Sequence, residues 1–221
     1  MAEGTERRPD IAGMVQRGEI QGLIAALKGA DPDTMTEILD ALVGMGEAAV
    51  PALVQAVREE EHQVHLVASV ALGEIGRPAV LPLVRAFREK DGLTRVKIAD
   101  ILADIGDPAL DEILGALRDP DEEIRVLSAI ALGEMRNPRA IDHLIVALRD
   151  GSETVRAQAA ISLGELGSSG GEEALAKAAE ADPSPAVRQV AVNALIRVRG
   201  IKEDREVSRG RSPDPDQSTP R

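Results

Sequence analysis

The chain has 221 residues and a formal net charge of −12, with 43% hydrophobic residues, a single Phe and no Trp, Tyr or Cys. An acidic chain without stacking aromatics lacks the basic footprint of a nucleic-acid binder, and without cysteine there is no disulfide, thiolate nucleophile or cysteine metal site. Burial must come from Leu, Ile, Val and Ala, which suits small helices packed closely and suits a large mixed sheet poorly.

The opening MAEGTERRPD has no apolar leader, and no stretch reaches the ~18 uninterrupted apolar residues of a membrane span. Residues 1–9 read as a flexible N-terminus, and the protein reads as soluble and cytoplasmic, with no membrane partner. From Asp10 to Ala30 a short helix pair forms an N-terminal cap, its first member weakened by Gly13 and Gly18.

The next stretches repeat. Leu42, Leu72, Leu102, Leu132, Leu163 and Leu195 recur at intervals of 30, 30, 30, 31 and 32 residues, each followed three positions later by Met45, Ile75, Ile105, Met135, Leu166 or Val198. The next position reads Gly46, Gly76, Gly106, Arg136, Gly167, Arg199. A second apolar set keeps the same phase: Val50, Leu53, Val54 and Val57, then Val80, Leu83, Val84 and Phe87, then Leu110, Ile113, Leu114 and Leu117, then Ile141, Leu144, Ile145 and Leu148. Spacing of i, i+3, i+4, i+7 marks one apolar face of a helix, so each unit is two helices and a tight turn.

The GxxG of Gly73–Gly76 could be taken for a phosphate cradle, but it recurs with no strand before it. Instead Gly73 is expected to keep the first helix slim against its neighbour, and Gly76 to supply the positive φ that ends it. Pro51 and Pro82 are expected in the first turn of the second helix, where amides have no intrahelical partner to lose. A unit of this kind buries its apolar face only by stacking on neighbours. The fold class is therefore all-α, an α–α superhelix of about six helix-pair repeats over residues 10–200. Pro185 to Arg199 forms a last unpartnered helix, and the polar residues 201–221 form a disordered tail.

The segments "VRAQAAISLGELG" (155–167), "IRVLSAIALGEM" (124–135) and "DPSPAVRQVAVNALIRV" (182–198) closely resemble HEAT-like repeats of the phycobilisome-lyase type, over roughly residues 20–199. That family includes scaffolds, adaptors, bilin-lyase subunits and metal-dependent deoxyhypusine hydroxylases. The resemblance implies a solenoid whose second helices line a concave, partner-binding face.

An acidic residue stands six positions before the cation of each first helix: Glu89/Arg95, Asp119/Arg125, Asp150/Arg156 and Asp182/Arg188, with His65 replacing Arg in Glu59/His65. The series resembles the Asp–Arg ladder of HEAT repeats, which links loops within and between units. A second series, Lys28, Arg58, Arg88, Arg118 and Arg149, ends successive second helices. Cations there favour the helix dipole by about 0.3–1 kcal/mol each; in fixed register they also form a basic rail able to grip an acidic partner. Gln55, Leu81, Pro82 and Arg85 stand on the solvent side of the same helices and complete the candidate partner-binding set.

No catalytic or cofactor-binding residue emerges. His62 and His65 could share a helix face, yet only Glu59, Glu60 and Glu61 stand near as further ligands, and no metal is expected. The hydroxylases carry several His-Glu pairs for a di-iron site; this chain has none. Nor is there a G-x-S-x-G, a Walker loop or a G-x-G-x-x-G. The reading is a non-enzymatic scaffold or adaptor for an unidentified protein partner of acidic character, with no cofactor; the alternative is an accessory subunit of the bilin-lyase kind, which would have to hold an aromatic tetrapyrrole without Trp or Tyr.

Overall fold

The computed structural model describes residues 8–59, 61–89 and 92–210. These are helical, joined by tight turns, and divide into two compact units, Met1–Ala131 and Leu132–Arg221, the division falling inside one helix.

The N-terminal unit holds α1 (Ile11–Arg17), α2 (Ile20–Ala25), α3 (Pro32–Gly44), α4 (Val50–Ala56), α5 (His62–Ile75), α6 (Arg77–Phe87), α7 (Gly92–Ile105), α8 (Leu110–Ala116) and the start of α9 (Glu122–Met135). First helices pack on first helices, α3 on α5 and α5 on α7, while α2, α4 and α6 form the second layer. Between the layers lie Leu42, Leu72 and Leu102 from the first helices and Leu23, Leu53, Leu83 and Leu110 from the second, all buried. The C-terminal unit holds the end of α9 with α10 (Ala140–Ala147), α11 (Glu153–Leu166), α12 (Glu172–Ala181) and α13 (Pro185–Gly210). There α10 packs on α11, and α13 packs along both α11 and α12, over Leu132, Leu144, Leu163, Leu175 and Leu195.

Local chemistry sets the helix ends. Asp31 accepts from the amides of Asp33 and Thr34 at the start of α3, and Ser152 accepts from Thr154 and Val155 at the start of α11, satisfying amides without an intrahelical partner. First helices stop on residues with positive φ: Gly76 at 70°, Gly106 at 72° and Gly167 at 58°. The fourth hinge holds Arg136 at φ 49°, a non-glycine where an L side chain is disfavoured. Short 3₁₀ turns at Gly46–Ala49, Asp107–Ala109 and Ser169–Gly171 lead into α4, α8 and α12.

Three expectations change. Pro51 does sit in the first turn of α4, but Pro82 lies inside α6, because this helix has no preceding 3₁₀ turn and starts at Arg77, with Pro78 in its first turn. Pro82 thus leaves the carbonyl of Pro78 without its usual i+4 donor. Gly73 is not a close-packing glycine: nothing lies within 4 Å of where its Cβ would be. Gly133 and Gly164 hold that role, since a Cβ on Gly133 would meet Ser162 Oγ at 2.8 Å and one on Gly164 would meet Ala194 at 3.0 Å. Finally, the last helix continues past Arg199 to Gly210. No Gly or Pro interrupts residues 201–209, and Ile201 lies over Gly167, its Cδ1 only 2.7 Å from where a Cβ would sit. The rest of the expected tail, residues 211–221, lies outside the described residues.

Candidate partner-binding surface

The cations that end the second helices occupy one repeated backbone setting. The amides of Lys28, Arg58, Arg88, Arg118 and Arg149 donate to the carbonyls of Ala25, Gln55, Arg85, Gly115 and Val146, each three residues back, at 3.0–3.3 Å. This tightened last turn delivers each side chain to the same end of its helix.

Their partners differ. Arg58 pairs with Glu89, and Arg88 Nε stands 3.3 Å from Asp119 Oδ2, in each case reaching the following repeat. Among the described residues Lys28, Arg118 and Arg149 make no ion pair. Rail and ladder look separate in the sequence; the constant offset of 31 residues between Arg58 and Glu89 and between Arg88 and Asp119 is the signal that they interlock.

The ladder has its own geometry. The six-residue spacing is realised by a carbonyl rather than a carboxylate: Arg95 Nε donates to Glu89 O at 2.9 Å, Arg125 to Asp119 O at 2.8 Å, Arg156 to Asp150 O at 3.0 Å and Arg188 to Asp182 O at 2.6 Å. Three of the carboxylates, those of Glu89, Asp119 and Asp182, serve the preceding repeat, while that of Asp150 accepts from Ser152 N in its own loop. Asp182 takes Arg156 Nε and Nη2 at 2.8 and 3.1 Å, and Asp121 takes Arg95 Nη2 at 2.8 Å. Hydrogen bonds from the two arginines hold the carboxyls of Asp182 and Asp121 below the usual carboxylate range against the opposing effect of desolvation.

At His65 the pattern breaks. Its Nδ1 is buried without a hydrogen-bond partner, and burial, followed by the charge of Lys97, lowers its pKa. Lys97 donates to Val57 O at 3.1 Å, and Gln63 bridges the preceding loop through Gly29 N and Ala30 O. Nothing in the periodicity marked Gln63 or Lys97 for these contacts. The His62 and His65 rings meet edge to face at 5.1 Å, and among the described residues no three His, Cys, Asp or Glu side chains are grouped to hold a metal.

Open depressions lie beside several of the candidate residues. In the N-terminal unit Lys28, Gln55 and Arg58, with Glu59 and Glu61, border a hollow of ≈ 540 Å³. Leu81, Pro82 and Arg85 do not border it; they lie on α6, Leu81 and Arg85 exposed and Pro82 half-buried. In the C-terminal unit Arg149 borders a groove of ≈ 560 Å³ between α10 and α12, floored by Ile145, Leu148, Ala174 and Ala178. Ile145 is half-buried there, whereas its counterparts Val54, Val84 and Leu114 are buried. The sequence held the sign of this: thirty-one residues after Ile141, Leu144, Ile145 and Leu148 stand Glu172, Leu175, Ala176 and Ala179, so α12 has lost most of its bulky aliphatics.

The paired helices, positive-φ hinges and arginine ladder have a counterpart among known families. The family model described as HEAT repeats matches residues 83–153 and 141–208, together more than half of the chain. The chain belongs to the HEAT-repeat family. No curated protein matches this HEAT-repeat chain. Solved structures similar to it include human deoxyhypusine hydroxylase in complex with glycerol, at 20% identity over 86% of this chain and 88% of that one, with a TM-score of 0.45. An archaeal HEAT-like repeats protein from Thermococcus onnurineus NA1 is 14% identical over 86% of this chain and 91% of that one, TM-score 0.42. A designed armadillo repeat protein in complex with peptide (KR)4 is 18% identical over 86% and 100%, TM-score 0.47. Among the described residues of the HEAT-repeat chain no helix is long and apolar enough to cross a membrane.

Proposed function

We propose that this HEAT-repeat chain is a non-enzymatic scaffold or adaptor that binds an acidic segment of a partner protein on the solvent side of its second helices. One observation carries the reading: Lys28, Gln55 and Arg58, chosen from register alone, border a single open hollow. Lys28 and Arg118 in the N-terminal unit, and Arg149 in the C-terminal unit, are the cations to which a partner carboxylate has freest access, since Arg58 and Arg88 already hold Glu89 and Asp119. Leu81, Pro82 and Arg85 supply neighbouring contact. The phycobilisome-lyase-type subdivision of the family is part of this proposal and rests on the recurring "LGE" before the hinge at residues 72–74, 132–134 and 163–165; a cytoplasmic location rests on the acidic, cysteine-free composition.

The test is capture from the host lysate at moderate salt by the native protein and by a variant carrying Lys28→Glu, Arg118→Glu and Arg149→Glu. These changes break no ion pair among the described residues, so the fold should survive, which circular dichroism would verify. A protein retained by the native chain and lost by the variant supports the reading. Equal retention by both removes the cations from the site.

A further inference from the structure

The first helices of the N-terminal unit carry a surface that their packing does not use. On α5 the outward positions are His62, Leu66, Val70 and Glu74; on α7 they are Leu93, Val96, Asp100 and Asp104. Since α5 and α7 pack side by side with a period of thirty residues, Leu66 stands opposite Val96, Val70 opposite Asp100, and Glu74 opposite Asp104. The four aliphatics are exposed: Leu93 retains 73% of its surface and Leu66 and Val96 43% each, with Val70 close behind. Single exposed aliphatics are ordinary, but neighbouring ones on adjoining helices are the mark of a contact surface.

One end of this patch is acidic. Glu74, Asp100 and Asp104 make no hydrogen bond or ion pair among the described residues, unlike the ladder carboxylates. Glu74 is the penultimate residue of α5 and Asp104 that of α7, so both stand where the helix dipole already presents its negative end and disfavours anions. Desolvation, and then the charge of Asp104, raises the pKa of Asp100 above its usual value. Three carboxylates are thus held without compensation, one turn beyond an apolar patch.

We propose that the outer face of α5 and α7 docks a basic amphipathic helix of a partner protein, its aliphatic edge on Leu66, Val70, Leu93 and Val96 and its lysines or arginines on Glu74, Asp100 and Asp104. This is the helix-against-apolar-surface mode of recognition, with charge fixing direction. A second copy of the chain fits poorly, because it would bring the same carboxylates together under a net charge of −12. The site differs in face and in sign from the cation-bearing surface of the second helices, so either can fail alone.

The probes are a labelled amphipathic helical peptide of leucine and lysine and its leucine–glutamate counterpart of equal length, titrated by fluorescence anisotropy. The lysine peptide should bind the native protein, with affinity falling as salt rises, and the glutamate peptide should not. Because an acidic protein attracts any cationic peptide, surface variants decide the location. Leu66→Ser with Val96→Ser should weaken binding by about tenfold or more, and Asp100→Asn with Asp104→Asn should weaken it and flatten its salt dependence. All four positions are exposed, so both variants should keep the native circular dichroism. Equal binding of the two peptides, no binding of the lysine peptide, or binding unchanged in the Leu66→Ser/Val96→Ser variant would overturn the proposal. Self-association that is lost in that variant would also overturn it, by assigning the face to a second copy.

Discussion

Two ion pairs join neighbouring repeats at very different depths. In the C-terminal unit the side chains of Arg156 and Asp182 keep 11% and 4% of their surface, whereas in the N-terminal unit those of Arg58 and Glu89 keep 32% and 57%. Asp182 is satisfied on several sides, by two guanidinium nitrogens and by the amide of Ser184 at 2.9 Å. The exposed pair has water as an equal competitor. Residues of one chemical type at repeating positions therefore do different jobs: removing a buried partner strands a charge, while removing an exposed one leaves its partner solvated.

The comparison can be broken at several points. Leu132→Ala supplies the scale, since it empties a fully buried core position and should cost about 2–5 kcal/mol in chemical denaturation; a change near zero would mean that the helix register is wrong. Asp182→Ala should approach that scale, at about 3 kcal/mol, and Glu89→Ala should cost less than about 1 kcal/mol. Equal losses for the two would erase the distinction.

Acid sharpens it. The folded Asp182 carboxyl titrates below its unfolded value because of Arg156, so its stabilisation is complete above about pH 4 and disappears as pH falls through the lower folded value. Stability measured against pH should therefore fall less steeply on the acid side in Asp182→Asn than in the native protein. An effect of opposite sign should come from the hinge. Arg136→Gly relieves a positive φ and should stabilise the C-terminal unit by about 1 kcal/mol, read as a raised denaturation midpoint.

The repeat, its helices and its buried leucines were legible because translation along a stack imposes a period on every inward position. Leu42, Leu72 and Leu102 sit in one environment copied three times, so one apolar face predicts the next. The ladder was legible only as a spacing. Its main contact is a backbone carbonyl, which every residue possesses, so Glu89, Asp119 and Asp182 drew notice for side chains that serve other repeats, and Asp150 for one that caps its own loop. Pro82 was misplaced because whether a proline falls in a first turn depends on where its helix starts, and α6 starts earlier than α4 or α8 relative to the repeat. The groove beside α12 was written in Ala176 and Ala179, but a lost side chain announces itself only against the full set of repeats.

The contact between Ile201 and Gly167 limits how far the protein can be trimmed. A repeat array is closed at its end by whatever covers the last hinge, and here that cover comes from beyond the final periodic residue, Val198. Gly167 is thereby bound to glycine twice, by its positive φ and by the aliphatic side chain resting on it. A protease cut or stop codon before Ile201 would uncover this hinge and loosen the adjoining turns of α11 and α13, so the shortest sturdy form of the array ends after the repeats do.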